Sequence, residues 1–122
     1  MNEHEKINYV EFSTRNITET KKFFTLVFGW AFEDYGPEYS AFSGEGLDGG
    51  FFQSDKFSST NNGAALIIFF SDNLEETLIK AQHFGGDIIR DIFSFPGVRR
   101  FHFKEPGGIE CAVWSVFASY TK

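Results

Sequence analysis

A chain of 122 residues with 42% hydrophobic residues is long enough to bury one core without covalent staples. Its net charge of −6 argues against a nucleic-acid phosphate surface, which needs a basic stripe, and against an anionic membrane surface. The 17 phenylalanines require an aromatic core or an aromatic pocket, and the one cysteine, Cys111, excludes an intramolecular disulfide.

A lone cysteine fits a reducing compartment, and the N-terminal stretch lacks a basic segment followed by an apolar one. No apolar run reaches membrane-spanning length. A cytoplasmic location is expected, with no nucleic-acid and no membrane partner.

Residues 7–13 alternate as a strand, with Val10 and Phe12 on the core side and Tyr9 and Glu11 opposite. Asn16-Ile17-Thr18-Glu19 is a capping box: Asn16 accepts from the Glu19 amide while Glu19 reaches back. The helix it opens carries Phe23, Phe24, Val27 and Phe28 near one face and stops at Gly29. Strands are expected over 30–35, 39–43 and 47–53, with Gly49-Gly50 marking a bulge or a close backbone approach. Residues 54–63, SDKFSSTNNG, read as a linker.

After the linker the order begins again. AALIIFF, 64–70, is apolar on both faces and reads as a fully buried strand. Asn73-Leu74-Glu75-Glu76 is a second capping box, and its helix ends at Phe84-Gly85-Gly86. A strand over 88–93 and a Pro96-Gly97 turn lead into a hairpin from Arg99 to Trp114. On this hairpin Phe101, Phe103, Cys111 and Val113 share one face, while Arg100, His102, Glu110, Ala112 and Trp114 share the other. Cys111 is thus a packed thiol rather than a reactive one. Asn16 and Asn73 stand 57 positions apart, as do Glu19 and Glu76, so the two halves are an internal repeat of strand, capped helix and three strands.

These residues resemble a known group. The first strand followed by Asn16-Ile17, the helix ending Val27-Phe28-Gly29-Trp30, Asp72-Asn73-Leu74, Gly85-Gly86 and Glu105-Pro106-Gly107-Gly108-Ile109-Glu110 are similar to the glyoxalase/bleomycin-resistance/extradiol-dioxygenase (vicinal-oxygen-chelate) superfamily. The last segment looks like the family's DP-x-G-N, with Glu105 for the Asp and Ile109 for the Asn. The resemblance spans residues 7–115. It implies a single α+β domain over 1–122 with two βαβββ modules, about 7–54 and 64–117. These would form a curled mixed sheet around a cup, with helices on the outer face. It also implies pairing of modules, within the chain or across a homodimer, to enclose a small molecule.

Metal-using relatives hold Mn, Fe, Ni or Zn through His and Glu at four positions. Carried over, these fall on Tyr9, on Gly50 or Phe51, on Leu66 and on Ala112. Divalent sites need three or four N, O or S donors, which this set does not supply. No metal and no other cofactor is expected.

The cup is then expected to be lined by Tyr9, Glu11, Phe51, Gln53, Leu66, Ile68, Arg100, His102 and Trp114 as ligand-binding residues. Glu11, His102 and Glu110 are the candidates for acid–base chemistry, since a carboxylate desolvated by Phe and Trp has a raised pKa and an imidazole exchanges protons near neutrality. Glu110 is equally able to pair with Arg99 or Arg100 across the hairpin, and one of those arginines to receive a ligand carboxylate or phosphate. The reading favoured is a metal-independent small-molecule binding protein, whose acidic balance suits a cationic ligand. The alternatives are a glyoxalase-like lyase or isomerase, and a dimeric accessory protein without a ligand.

Overall fold

The computed structural model describes residues 2–116, and the repeat is explicit in it. The first half runs β1 (Tyr9–Thr14), α1 (Ile17–Phe28), β2 (Phe32–Asp34), β3 (Tyr39–Phe42) and β4 (Asp48–Gln53). The second runs β5 (Ile67–Phe70), α2 (Leu74–His83), β6 (Asp87–Phe95), β7 (Val98–Lys104) and β8 (Glu110–Val116). Each half makes a four-stranded mixed sheet, ordered β1-β4-β3-β2 and β5-β8-β7-β6. The first strand of each is parallel to its neighbour and the other pairs are antiparallel. The fold is α+β with two βαβββ modules. The sheets are separate rather than closed into a barrel, so β1 and β5 each form a sheet edge. An extension of β8 past Val116 lies outside the described residues.

The two strand-to-helix junctions are wired alike. The Asn16 amide donates to Thr14 Oγ1, whose hydroxyl lies 2.6 Å from that of Thr20. The Asn73 amide donates to Ser71 Oγ, which lies 2.7 Å from Thr77 Oγ1. Asn16 and Asn73 cap their helices by accepting from the Glu19 and Glu76 amides. The Asn16 amide is therefore met by Thr14, two residues upstream, and not by the reach of Glu19. A short hydroxyl turn satisfies that donor with less side-chain ordering than a glutamate needs.

The helices differ in burial. Ile17, Thr20, Phe23, Phe24 and Val27 of α1 are buried. The Phe24 ring lies 5.2 Å from Phe51 of its own sheet, and Phe28 stacks on Phe69 of the other at 4.3 Å. Phe23 sits 5.5 Å from Phe103. Helix α1 is thus packed between the sheets, and the phenylalanines form the core. Helix α2 buries Leu74 and Ala81 only.

Two segments bind the halves together. Glu105, in the turn between β7 and β8, is buried and accepts from the Gly107 and Ile109 amides and from the Thr20 hydroxyl of α1. Gly107 has no room for a Cβ, which would collide with the Thr14 and Thr20 hydroxyls. The 54–63 stretch is a clamp rather than a loose linker. The Ser58 amide donates to the Ser13 carbonyl, and the Ser58 carbonyl accepts from the Glu110 amide.

Strand β5 corrects the expectation of full burial. Ile67 and Phe69 pack on the core, but Ile68 and Phe70 are 48% and 54% exposed, because the sheet is covered on one face only.

Candidate functional site

Alternation along each strand sends one set of side chains toward the helices and the other onto an open face. On the first sheet Glu11 stands opposite Gly50, and Gly50 opposite Ala41, with Tyr9 and Tyr39 on the same face. A Cβ at Gly50 would collide with the Tyr39 ring, so glycine is what lets that ring lean toward β1. Tyr39 donates to Glu11 Oε2 at 2.9 Å. Its single proton is thereby used, and the 2.6 Å contact with Tyr9 has Tyr9 as donor. Burial, then the bonds to Tyr9 and Glu11, raise the Tyr39 pKa well above the ordinary tyrosine value. The trio is a chain in which Tyr9 donates to Tyr39 and Tyr39 donates to Glu11.

On the open face of the second sheet, cross-strand register produces two rows. One runs Arg90, His102, Ala112, Ile68, and the next Phe93, Arg100, Trp114, Phe70. Trp114 meets Phe70 edge to face at 5.0 Å, and Phe93 stacks on His102 at 5.9 Å. A polar chain crosses these rows. The Thr60 amide and hydroxyl both donate to Glu110 Oε1 at 2.8 Å, His102 Nδ1 lies 3.2 Å from Glu110 Oε2, and Arg100 Nε lies 3.2 Å from His102 Nε2. An arginine only donates, so Nε2 is the acceptor and the imidazole proton sits on Nδ1, directed at Glu110.

This wiring changes the role of two candidate acid–base groups. Burial works against the charge on Glu110, but the Thr60 amide and hydroxyl, with His102, outweigh it and hold the carboxyl below the usual glutamate value. The expected raised pKa is thus reversed, because hydrogen-bond donors rather than bare rings surround the carboxylate. Both nitrogens of His102 are already partnered. Nor does Glu110 pair with either arginine: Arg99 turns to the other side and donates through both terminal nitrogens to Glu75 of α2.

Of the expected lining residues, Tyr9 and Glu11 come together on the first open face, and Ile68, Arg100, His102 and Trp114 on the second. Two do not belong there. Phe51 is fully buried against Phe24 and Trp30, and Gln53 is spent on the start of α1, accepting from the Ile17 amide and donating to the Arg15 carbonyl. Both follow from the register: Gly50, not Phe51, shares the face of Glu11. Leu66 and Ile68 line a cavity of about 580 Å³ that also involves Val10, Phe12, Trp30 and Phe42, along the seam between β5 and the first module. That volume suits a drug-sized ligand, and Ile68 and Phe70 carry the cavity wall onto the second open face.

From the sequence Tyr39 is a polar residue near the cup rim whose direction is open, and Thr60 does not stand out. Tyr39 has a readable signal, a large ring on the strand next to Gly49-Gly50, and it lies diagonally over Gly50. Thr60 has none, since it reaches Glu110 across 50 positions of sequence.

The residues at the family's metal positions do not fit a divalent ion. Gly50, Leu66 and Ala112 have no donor, and the Tyr9 hydroxyl is bonded to Tyr39. Among the described residues no three or more His, Cys, Asp or Glu cluster as a metal group.

The fold matches solved structures closely in shape and weakly in sequence. A glyoxalase/bleomycin resistance protein/dioxygenase family enzyme from Burkholderia phytofirmans superposes with a TM-score of 0.74 at 16% identity, over 90% of this chain and 98% of that one. TioX from Micromonospora sp. gives 0.68 at 15% identity, over 92% and 99%. A lactoylglutathione lyase from Agrobacterium tumefaciens gives 0.68 at 14%, over 91% and 93%. No curated protein sequence matches the chain. The family model for the Glyoxalase/Bleomycin resistance protein/Dioxygenase superfamily matches residues 6–113, and the chain belongs to that superfamily.

Proposed function

We propose that this protein binds an organic small molecule on the open faces of its sheets, without a metal, as a cytoplasmic homodimer. The observation that carries the reading is the second open face. Exposed Ile68 and Phe70 and half-buried Trp114 adjoin the ordered Arg100–His102–Glu110 chain. Apolar surface with a few fixed polar groups is the composition of a ligand site, and a contiguous exposed apolar patch marks a binding surface. The donor-poor set Tyr9, Gly50, Leu66 and Ala112 supports metal independence. The free edges of β1 and β5 support the dimer, since a second copy would cover them. No helix of the described residues is long and apolar enough to cross a membrane, and the charge of −6 supports neither a membrane nor a nucleic-acid partner.

Thermal denaturation tests the reading. A library of small organic acids, amines and aromatic compounds should contain members that raise the melting temperature, because a ligand bound only by the native state stabilises it. Nickel, zinc and manganese should leave it unchanged, and a rise of several degrees with any of them defeats metal independence. Light scattering should return twice the 13.9 kDa chain mass, and a monomer defeats the dimer.

A second reading, a glyoxalase-like lyase or isomerase, is favoured by one observation. Glu11 is an exposed carboxylate with an adjacent neutral phenol donor, a base beside an acid. Glu11→Gln separates the two readings: an enzyme loses turnover and keeps its ligand, while a binding protein shows no turnover to lose.

A further inference from the structure

The second open face also specifies what kind of ligand it takes. We propose that Arg100 is the receptor for a carboxylate carried by a planar aromatic molecule. The inference rests on the small-molecule reading and names its ligand class.

The guanidinium is held in one orientation by an ordered chain. Thr60 fixes Glu110, Glu110 fixes the Nδ1–H tautomer of His102, and His102 Nε2 accepts from Arg100 Nε at 3.2 Å and faces its Nη2 at 3.1 Å. These contacts occupy one edge of the guanidinium. The other edge carries an N–H on each terminal nitrogen, and among the described residues neither has a partner. That edge is the fork which matches a carboxylate bidentately. Arg99, the next residue, shows the contrast, since its terminal nitrogens are already closed on Glu75.

The surroundings select an aromatic acid over a free anion. Arg100 stands between Phe93 and Trp114 in the cross-strand register, and its guanidinium carbon lies 5.7 Å from the centre of the Phe95 ring. These rings offer stacking surface to a planar ligand beside the guanidinium. Arg90, with its guanidinium 3.5 Å over Phe93, adds a second positive charge, and neither arginine has a carboxylate in salt-bridge distance among the described residues. The net charge of −6 suggested a cationic ligand, but this face is locally basic because its carboxylate, Glu110, is turned inward.

Calorimetric titration of the full chain with three matched probes tests the assignment: 2-naphthoate, 2-naphthamide and 2-naphthylmethylamine. The acid should bind at least about tenfold more tightly than the amide or the amine, the usual margin for a charge-assisted bidentate pair. Arg100→Gln should remove that margin, weakening the acid far more than the amide. Arg100→Lys, which keeps the charge and loses the fork, should still weaken the acid several-fold, so the test survives if the glutamine variant does not fold. His102 is a positioning residue: His102→Ala should weaken the acid alone, and His102→Gln, whose carbonyl can still accept from Arg100, should restore part of the loss. Equal binding of acid and amide, with Arg100→Gln neutral to both, overturns the carboxylate receptor and leaves the small-molecule reading standing. Inorganic phosphate binding as tightly as the acid overturns the aromatic part. Failure of all three probes at millimolar concentration overturns the inference, and the thermal screen then decides the broader reading by itself.

Discussion

Helices α1 and α2 begin with the same hydrogen bonds and end in different surroundings. Thr14–Thr20 and Ser71–Thr77 are equivalent hydroxyl pairs, and Asn16 and Asn73 are equivalent caps. Yet α1 lies between two sheets, against Phe51 on one side and Phe69 and Phe103 on the other, whereas α2 covers the outside of one sheet. Local wiring is set by side chains within a few positions and survives duplication. Burial is set by where the copies meet, and there the first copy became the shared core. The open faces diverged in the same manner: phenols and Glu11 on the first, guanidiniums and aromatic rings on the second.

The largest expected effect follows from that burial. Phe24→Ala removes a fully buried ring that contacts both modules and should cost about 3–5 kcal/mol in denaturant unfolding, lowering the stability of both halves together. Leu78→Ala in α2, at a half-buried position packed on one sheet, should cost about 1–2 kcal/mol. Equal costs would mean that α1 is not the joint between the modules.

A smaller contrast separates the two hydroxyl pairs. Thr20→Val takes a donor from buried Glu105 and a partner from Thr14, and should cost about 2–3 kcal/mol. Thr77→Val removes a half-buried hydroxyl from Ser71, which still accepts from the Asn73 amide, and should cost about 0.5–1 kcal/mol. If the two substitutions cost the same, Glu105 contributes nothing to the bond between the modules.

What the sequence made legible follows the same division between local and long-range. The Asn caps, the inward Val10 and Phe12 and the outward Tyr9 and Glu11 depend on spacing within a few residues and are as expected, except that Thr14 and not Glu19 meets the Asn16 amide. Strand β5 departs from the expected full burial because a run such as Ile67-Ile68-Phe69-Phe70 does not show which face a neighbour covers. Phe51 and Gln53 lie on the face opposite to the expected one because two adjacent glycines leave a strand's register open by one residue. The part of the site that sequence hides is Thr60. Its bonds reverse the direction of the Glu110 shift, and they come from a segment whose composition reads as a linker.

The finest test compares two carboxylates at the ends of one hairpin turn, Glu105 and Glu110. For Glu105 burial raises the pKa and outweighs the Gly107 and Ile109 amides and the Thr20 hydroxyl, which pull it down. A raised folded-state value means that its contribution to stability is complete below the unfolded value, near 4.5, and is lost as pH rises through the folded one. For Glu110 the shift is downward, so its contribution is complete above the unfolded value and is lost as pH falls through the folded one. The two groups therefore tilt the stability profile in opposite directions from opposite sides of the same ordinary value. Urea unfolding followed from acid to neutral pH should show Glu105→Gln losing the decline toward neutrality and Glu110→Gln losing the fall toward acid. A Glu105→Gln profile parallel to that of the unaltered protein would show that the link between the turn and α1 is carried by a carboxylate no harder to ionise than one in water. Glu110→Gln would then have to be compared on its own, as a measure of how firmly Thr60 and His102 hold the chain that ends at Arg100.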